Sequence, residues 1–247
     1  MSTDKKIPLY GFNNLTKSLS FSLYRVHYLT SSQSTDSYHA FINEAYSAVK
    51  LTELLSKICH AIGGNVLNIA SQDYTPQGAS VTLMISEEAK PESLVAHLDK
   101  SHLCIHTYPE ERPQDGIAIF RADIELSTCG IISPLKVLDY VIEAFSADVI
   151  DIDYRIRGMT RDLQGNKYFR DHDITEISAY LDNTTLQSYD AVDSGLPNKN
   201  LFHCKLARHT INFDHHFFEI NEPELSSVEK SNIVAQLRLQ LDELFLA

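Results

Sequence analysis

Three stretches between residues 102 and 157 alternate apolar and polar residues at every second position, and this pattern limits the fold more than any other feature. In the first, Leu103, Ile105 and Thr107 point one way and His102, Cys104 and His106 the other. The second is Ile117–Leu126, IAIFRADIEL. In the third, Ile150, Ile152, Tyr154 and Ile156 oppose Asp151, Asp153, Arg155 and Arg157. A period of two is a strand with one buried and one wet face. Leu15–Leu29, Asn65–Ala70 and Ser80–Ile85 read as further strands, and Asp73–Gly78 as a turn by its Pro and Gly.

Helical spacing runs from about Tyr38 to Ile62 as one helix, ended by Gly63-Gly64. It returns after Ser133-Pro134, through Leu138, Ile142 and Phe145. The C-terminus carries a capping box, Ser226 with Glu229, before Ile233, Leu237, Leu241 and Leu244. Glu87–Lys100 reads as a short helix or an exposed loop, and the pattern weakens after Arg161. Several successive strands lack an intervening helix. The expected fold is therefore α+β, a largely antiparallel sheet with helices on one face.

The 247 residues are 43% hydrophobic and 22% charged, an ordinary globular composition with a net charge of −12. That acidity argues against nucleic acid or an anionic membrane as a partner. No apolar run is long enough to span a bilayer, and the N-terminal residues lack the pattern of an export signal. Cys59, Cys104, Cys129 and Cys204 form no CxxC pair, which predicts a reduced, cytoplasmic protein. The acid is concentrated after residue 100, with 13 basic against 24 acidic side chains. A solvated face explains this most simply; the sharper reading is a surface for a cationic substrate or a divalent metal.

Reactive side chains are densest in Asp99-Lys100-Ser101-His102-Leu103-Cys104-Ile105-His106-Thr107-Tyr108-Pro109-Glu110 and in Ser127-Thr128-Cys129-Gly130. Ser101 and His106 lie an odd number of residues apart, on opposite faces of a straight strand, which disfavours a direct serine–histidine pair. His102, Cys104 and His106 share a face and are metal-ligand types, but a half-buried strand alone explains their alternation. His203, His209, His215 and His216 are read as surface or core histidines.

Those two segments resemble the pyruvoyl-dependent S-adenosylmethionine decarboxylases of the long proteobacterial type. The likeness extends to Gly11–Phe21 (GFNNLTKSLSF), Tyr74–Thr82, Phe120–Glu125, Ile132–Lys136 and Ile152–Arg155. It covers residues 10 to about 175 and continues more loosely to the C-terminus. The connection between Glu88 and Val95 is shorter than in long-type members.

The resemblance implies a precursor that cleaves itself between Lys100 and Ser101. Ser101 attacks the Lys100 carbonyl, the amide becomes an ester, β-elimination breaks the ester to leave dehydroalanine, and hydrolysis with loss of ammonia gives a pyruvoyl group on a chain of residues 101–247, released from residues 1–100. That group forms a Schiff base with the substrate amine and serves as electron sink, with no external organic cofactor. His106 matches the proton acceptor in processing and Ser80 a residue that assists it. Cys129 matches the proton donor to the decarboxylated carbon. Tyr74 and Glu110 match substrate contacts, for the sulfonium or adenine and for the ribose hydroxyls. Cys104 is given no role; Cys59 and Cys204 are read as packed thiols. Magnesium is an implied activator without identifiable ligands.

The implied product is decarboxylated S-adenosylmethionine for spermidine synthesis. The implied assembly is a homo-oligomer of cleaved heterodimers whose sheets pair face to face in a four-layer αββα sandwich. Residues 1–175 form the expected core and residues 176–247 a C-terminal extension. Two alternatives are a pyruvoyl decarboxylase of ornithine or arginine and a non-cleaving regulatory paralogue. Tyr74 and Glu110 count against the first, and intact Ser101, His106 and Cys129 against the second.

Overall fold

A computed structural model describes residues 7–30, 32–86, 101–220 and 225–247. Lys100, the Glu87–Lys100 segment and the Glu88–Val95 connection lie outside them. The elements run β1 (Leu9–Asn13), β2 (Thr16–Tyr28), α1 (Ser32–Ala45), α2 (Ala48–Ala61), β3 (Asn65–Asp73), β4 (Ala79–Ser86), β5 (His102–Pro109) and β6 (Ile117–Cys129). They continue with α3 (Leu138–Phe145), β7 (Val149–Arg157), β8 (Thr160–Asp162), β9 (Lys167–Tyr168), α4 (Asn183–Ser188), β10 (Tyr189–Leu196), β11 (Leu201–Arg208), α5 (Phe213–His216) and α6 (Ser227–Leu246).

Eight strands form one sheet in the order β10-β11-β7-β2-β6-β5-β4-β3. Every neighbouring pair is antiparallel. The alternation read from the sequence sets which face is buried. On β2, Leu19, Phe21 and Leu23 sit in the core with Ile124 and Leu126 of β6 and Ile150, Ile152 and Tyr154 of β7. Helices α1, α2 and α3 cover that face through Tyr38, Ile42, Leu51, Leu55, Ile58, Val141 and Phe145. Each such buried side chain contributes about 1.5–3 kcal/mol.

The single helix expected from Tyr38 to Ile62 is two helices. The chain breaks at Ser47, whose extended backbone (ψ 153°) starts α2 without a side-chain cap of its own. Asp73, at the end of β3, supplies the missing cap by accepting the Ala48 N–H at 2.7 Å. The Ser133-Pro134 start is a 3-10 turn, Pro134–Val137, leading into α3.

Two strands the sequence reading did not anticipate, β10 and β11, extend the sheet beyond β7. Residues after 175 therefore add to the same sheet as the rest. The C-terminal helix α6 begins at the expected capping box. It packs on the opposite face from α1–α3, where Ile233, Leu237 and Leu241 bury against Val26, Ile117 and Val149. It covers that face near the C-terminal end of β2. Ser18 and Ser20 of β2, with His102, Glu125 and Arg157, line an open cavity of about 170 Å³ further along.

Candidate active site

Ser101 immediately precedes β5 and is buried, 2% exposed. Its carbonyl accepts the Ile85 N–H at 3.2 Å, tying it to β4. Its Oγ accepts the backbone N–H of Cys129 at 3.2 Å. Cys129 ends β6, and its thiol is half-buried. Gly130 follows at φ +69° and donates its N–H to the Leu15 carbonyl at 3.1 Å. A left-handed residue there suits glycine and turns the chain sharply past the cysteine.

A second group gathers on the same three strands. Ser80 faces His106 directly across the β4–β5 ladder. Tyr74 Oη donates to Ser80 Oγ at 2.7 Å. His106 faces Asp123 across the β5–β6 ladder and stacks near Tyr108, ring centroids 6.5 Å apart. The turn carrying Tyr74 closes through Tyr74 N–H to the Gly78 carbonyl at 2.8 Å. Asn43 of α1 holds the turn by accepting the Gly78 N–H at 3.2 Å and donating to the Pro76 carbonyl at 3.3 Å. Glu110 follows β5; one carboxylate oxygen accepts the Ile119 N–H at 3.0 Å, and His39 of α1 donates to its carbonyl at 2.9 Å.

The six residues thus form two groups, not one. Ser101 and Cys129 sit at one end of β5, and Tyr74, Ser80, His106 and Glu110 at the other. Five strand residues span about 16 Å. His106 also lies on the open face, whereas Ser101 falls in register with the buried face of Leu103 and Ile105. Within one chain His106 cannot reach the Cα of Ser101.

A cut before Ser101 would leave its two products interlocked. β2, from residues 1–100, lies between β6 and β7, both from residues 101–247. β4 pairs with β5 across the same junction.

Of the remaining thiols, Cys59 and Cys204 are buried and Cys104 is half-buried. Burial pushes Cys59 up to about 11. Burial and the neighbouring Asp193 push Cys204 up to about 12. Burial, then Glu125, also raises Cys104 on the open face.

Among the described residues one group has metal-ligand composition: Asp148, His215 and His216. Two imidazoles and a carboxylate are not the oxygen set that magnesium takes. Asp148 is moreover already engaged. It accepts the Val26 N–H at 2.8 Å, Arg208 Nε at 3.2 Å and His215 Nε2 at 2.8 Å. Burial alone would raise its pKa, but His215 and His216 hold it far below the carboxylate range. The group does not fit magnesium. His203 pairs with Asp153 at 2.9 Å and His209 with Asp190 at 3.0 Å, each at the surface.

A family model described as S-adenosylmethionine decarboxylase matches residues 33–158. The chain is 46% identical over 255 aligned positions to the S-adenosylmethionine decarboxylase proenzyme of Citrobacter koseri, covering 98% of this chain and 97% of that one. The proenzyme of the same description from Salmonella arizonae matches with the same identity and coverage. The crystal structure of the adenosylmethionine decarboxylase of Aquifex aeolicus aligns with 67% of this chain and 96% of that one, at 18% identity and a TM-score of 0.36. The likeness to both proenzymes runs almost end to end and takes in both groups of site residues: the chain belongs to the S-adenosylmethionine decarboxylase family.

Proposed function

We propose that this protein is a proenzyme that cleaves itself before Ser101 and then decarboxylates S-adenosylmethionine, yielding S-adenosylmethioninamine and CO2 for spermidine synthesis. The observation that carries the reading is the Ser101–Cys129 contact at the start of β5, in a chain of this family. The pyruvoyl group derived from Ser101 supplies an electron sink for the carbanion left when CO2 departs. The Ser101 position suits it, because β5 stays anchored to β4 and β6 whether or not residue 100 remains attached.

The chain's own residues divide the remaining work. The Cys129 N–H fixes the Ser101 hydroxyl before cleavage. The Cys129 thiol, on the last residue of β6, is the proton donor to the substrate carbon. Tyr74 offers an aromatic face to the cationic sulfonium or the adenine, and the Glu110 carboxylate receives the ribose hydroxyls.

His106 is the base that removes the Ser101 Cα proton, assisted by Ser80, and a gap of about 16 Å within one chain favours a second copy for that task. Two sheets stacked face to face lie about 10 Å apart. An isologous pair with strands running in opposite senses brings the Ser80–His106 end of each copy over the Ser101–Cys129 end of the other. The open half of the sheet face, which α6 leaves uncovered, is the surface for that four-layer packing. Residues 1–175 supply all six site residues, while residues 176–247 widen and cap the sheet.

Release of CO2 from carboxyl-labelled S-adenosylmethionine, alongside ornithine and arginine, tests the substrate. Mass spectrometry of the fragments tests the cut. Activity on S-adenosylmethionine alone, with a ketone at the start of the larger fragment, is the expected result. An uncut active chain, or turnover of a basic amino acid instead, overturns it.

A further inference from the structure

Lys17 is fully buried, as is the carboxylate that faces it, Asp171. An ammonium out of water costs several kcal/mol unless it is paired and hydrogen-bonded. Lys17 Nζ donates to Asp171 Oδ2 at 2.6 Å and to the Ile132 carbonyl at 3.0 Å. His172 Nδ1 donates to the other Asp171 oxygen at 2.7 Å. Burial pushes the Asp171 pKa up, but His172 and Lys17 outweigh it and hold it at about 2. Asp171 is therefore a carboxylate at neutral pH.

None of the chemistry assigned above uses this pair, yet the Ile132 carbonyl that Lys17 holds lies next to the site. Ile132 belongs to the turn that follows Cys129. Thr128 Oγ1 donates to the same Ile132 carbonyl at 3.5 Å. Lys17 faces Thr128 across the β2–β6 ladder, and the rung before His102–Ser127 places Ser101 on the other side of Thr128. Lys17, Thr128 and Ser101 form one buried row across β2, β6 and β5.

We propose that the Lys17–Asp171 pair is a positioning element of the active site. It clamps the Ile132 carbonyl and fixes the Thr128–Ile132 turn, so that the Cys129 N–H stays on Ser101 Oγ and the thiol stays at the end of β6. The inference rests on the roles of Ser101 and Cys129 proposed above. Lys17 lies in the 1–100 fragment and Asp171 in the 101–247 fragment, so the clamp joins the two pieces after the cut. A loosened turn moves the thiol without moving Tyr74 or Glu110, which sit at the far end of β5. The loss therefore falls on the proton-transfer step and not on substrate binding. A displacement near 1 Å costs up to about a hundredfold in rate.

The test is the double replacement Lys17→Met with Asp171→Leu, since exchanging a buried ion pair for apolar side chains is often neutral for stability. Asp171→Asn, which keeps the volume and an acceptor oxygen, is the second variant. Self-cleavage half-time, kcat, KM and melting midpoint are measured on each full-length protein. The expected result is a parental melting midpoint for the double variant and a lowered one for Asp171→Asn, with cleavage and kcat each at least about tenfold lower and KM within about twofold in both. Parental cleavage and kcat in either folded variant overturns the proposal. So does a rise in KM that accounts for the loss, or failure of both variants to fold, which makes the pair a stability element only. A parent chain that neither cleaves nor decarboxylates refutes the functional reading instead.

Discussion

The Cys129 main-chain N–H donates to the Ser101 hydroxyl at 3.2 Å, so the two residues meet through a backbone group and not through the thiol. The contact separates two roles that a side-chain contact would have merged. Placement of Ser101 survives any substitution at 129 that keeps the backbone path, while the proton delivery proposed for Cys129 needs the sulfur itself.

Cys129→Ala is therefore expected to cleave like the parent but to lose about 10²–10⁴-fold in kcat, the usual worth of a positioned acid. Ser101→Ala is expected to remain one chain with no activity. A denaturing gel with an assay of CO2 release checks both. Slow cleavage in Cys129→Ala would mean that the thiol takes part in maturation.

With the roles proposed for His106 and Ser101, their separation predicts maturation between copies. Chains carrying Ser101→Ala and chains carrying His106→Ala are each expected to stay whole when made alone. Co-expressed with distinguishable tags, the His106→Ala chains should become cut, because the Ser101→Ala copies supply the missing imidazole. Mass spectrometry of the tagged chains reads this directly. No cutting in the mixture would return His106 to its own chain.

The position of β2 between β6 and β7 predicts how the cleaved protein behaves. Under native size-exclusion chromatography residues 1–100 and 101–247 are expected to co-elute, and to separate only in denaturant. Dissociation under native conditions would contradict the strand order.

His27 predicts the acid side of the stability curve. Burial first, and then the neighbouring Arg25, push its pKa down to about 3. A histidine in the unfolded chain titrates near 6.5, so between about pH 6.5 and 3 the unfolded chain binds a proton that the folded chain refuses. Stability then falls with falling pH by about 1.4 kcal/mol per unit across that window, and is insensitive to this group above about pH 7. His215, also lowered chiefly by burial, acts in the same direction. Urea midpoints at pH 7 and pH 5 are expected to differ less in His27→Gln than in the parent. Equal differences would clear His27 of the effect.

Much of this was legible in the chain, and the exceptions have physical causes. The period-two runs at 102–107, 117–126 and 149–157 lie in the strands His102–Pro109, Ile117–Cys129 and Val149–Arg157 with the expected buried faces, because one face of each is almost wholly apolar. The opposite facing of Ser101 and His106 was also readable, as it follows from an odd spacing. The break at Ser47 was hidden because its cap comes from Asp73, distant in sequence. The strand β11 alternates clearly at Phe202, Cys204 and Leu206 and was open to the same period-two test. Its partner β10 is an edge strand whose mostly exposed residues carry little hydrophobic signal. The side of the sheet that α6 occupies follows from tertiary packing, since a capping box marks where a helix starts and not which layer it joins. Lys17 carried no signal of its own: a lysine in an alternating serine-rich strand gives no hint that a carboxylate at position 171 will meet it.

The interlocked strand order also sets when the peptide bond can break during the protein's life. β2 emerges early from the ribosome, but the strands on both its sides, β6 and β7, are complete only when residue 157 has been made. The central part of the sheet cannot assemble before then, so the proposed scission waits until at least that much of the chain has been made and folded. Two genes encoding the halves separately would face a different task, inserting an orphan strand into the middle of a sheet.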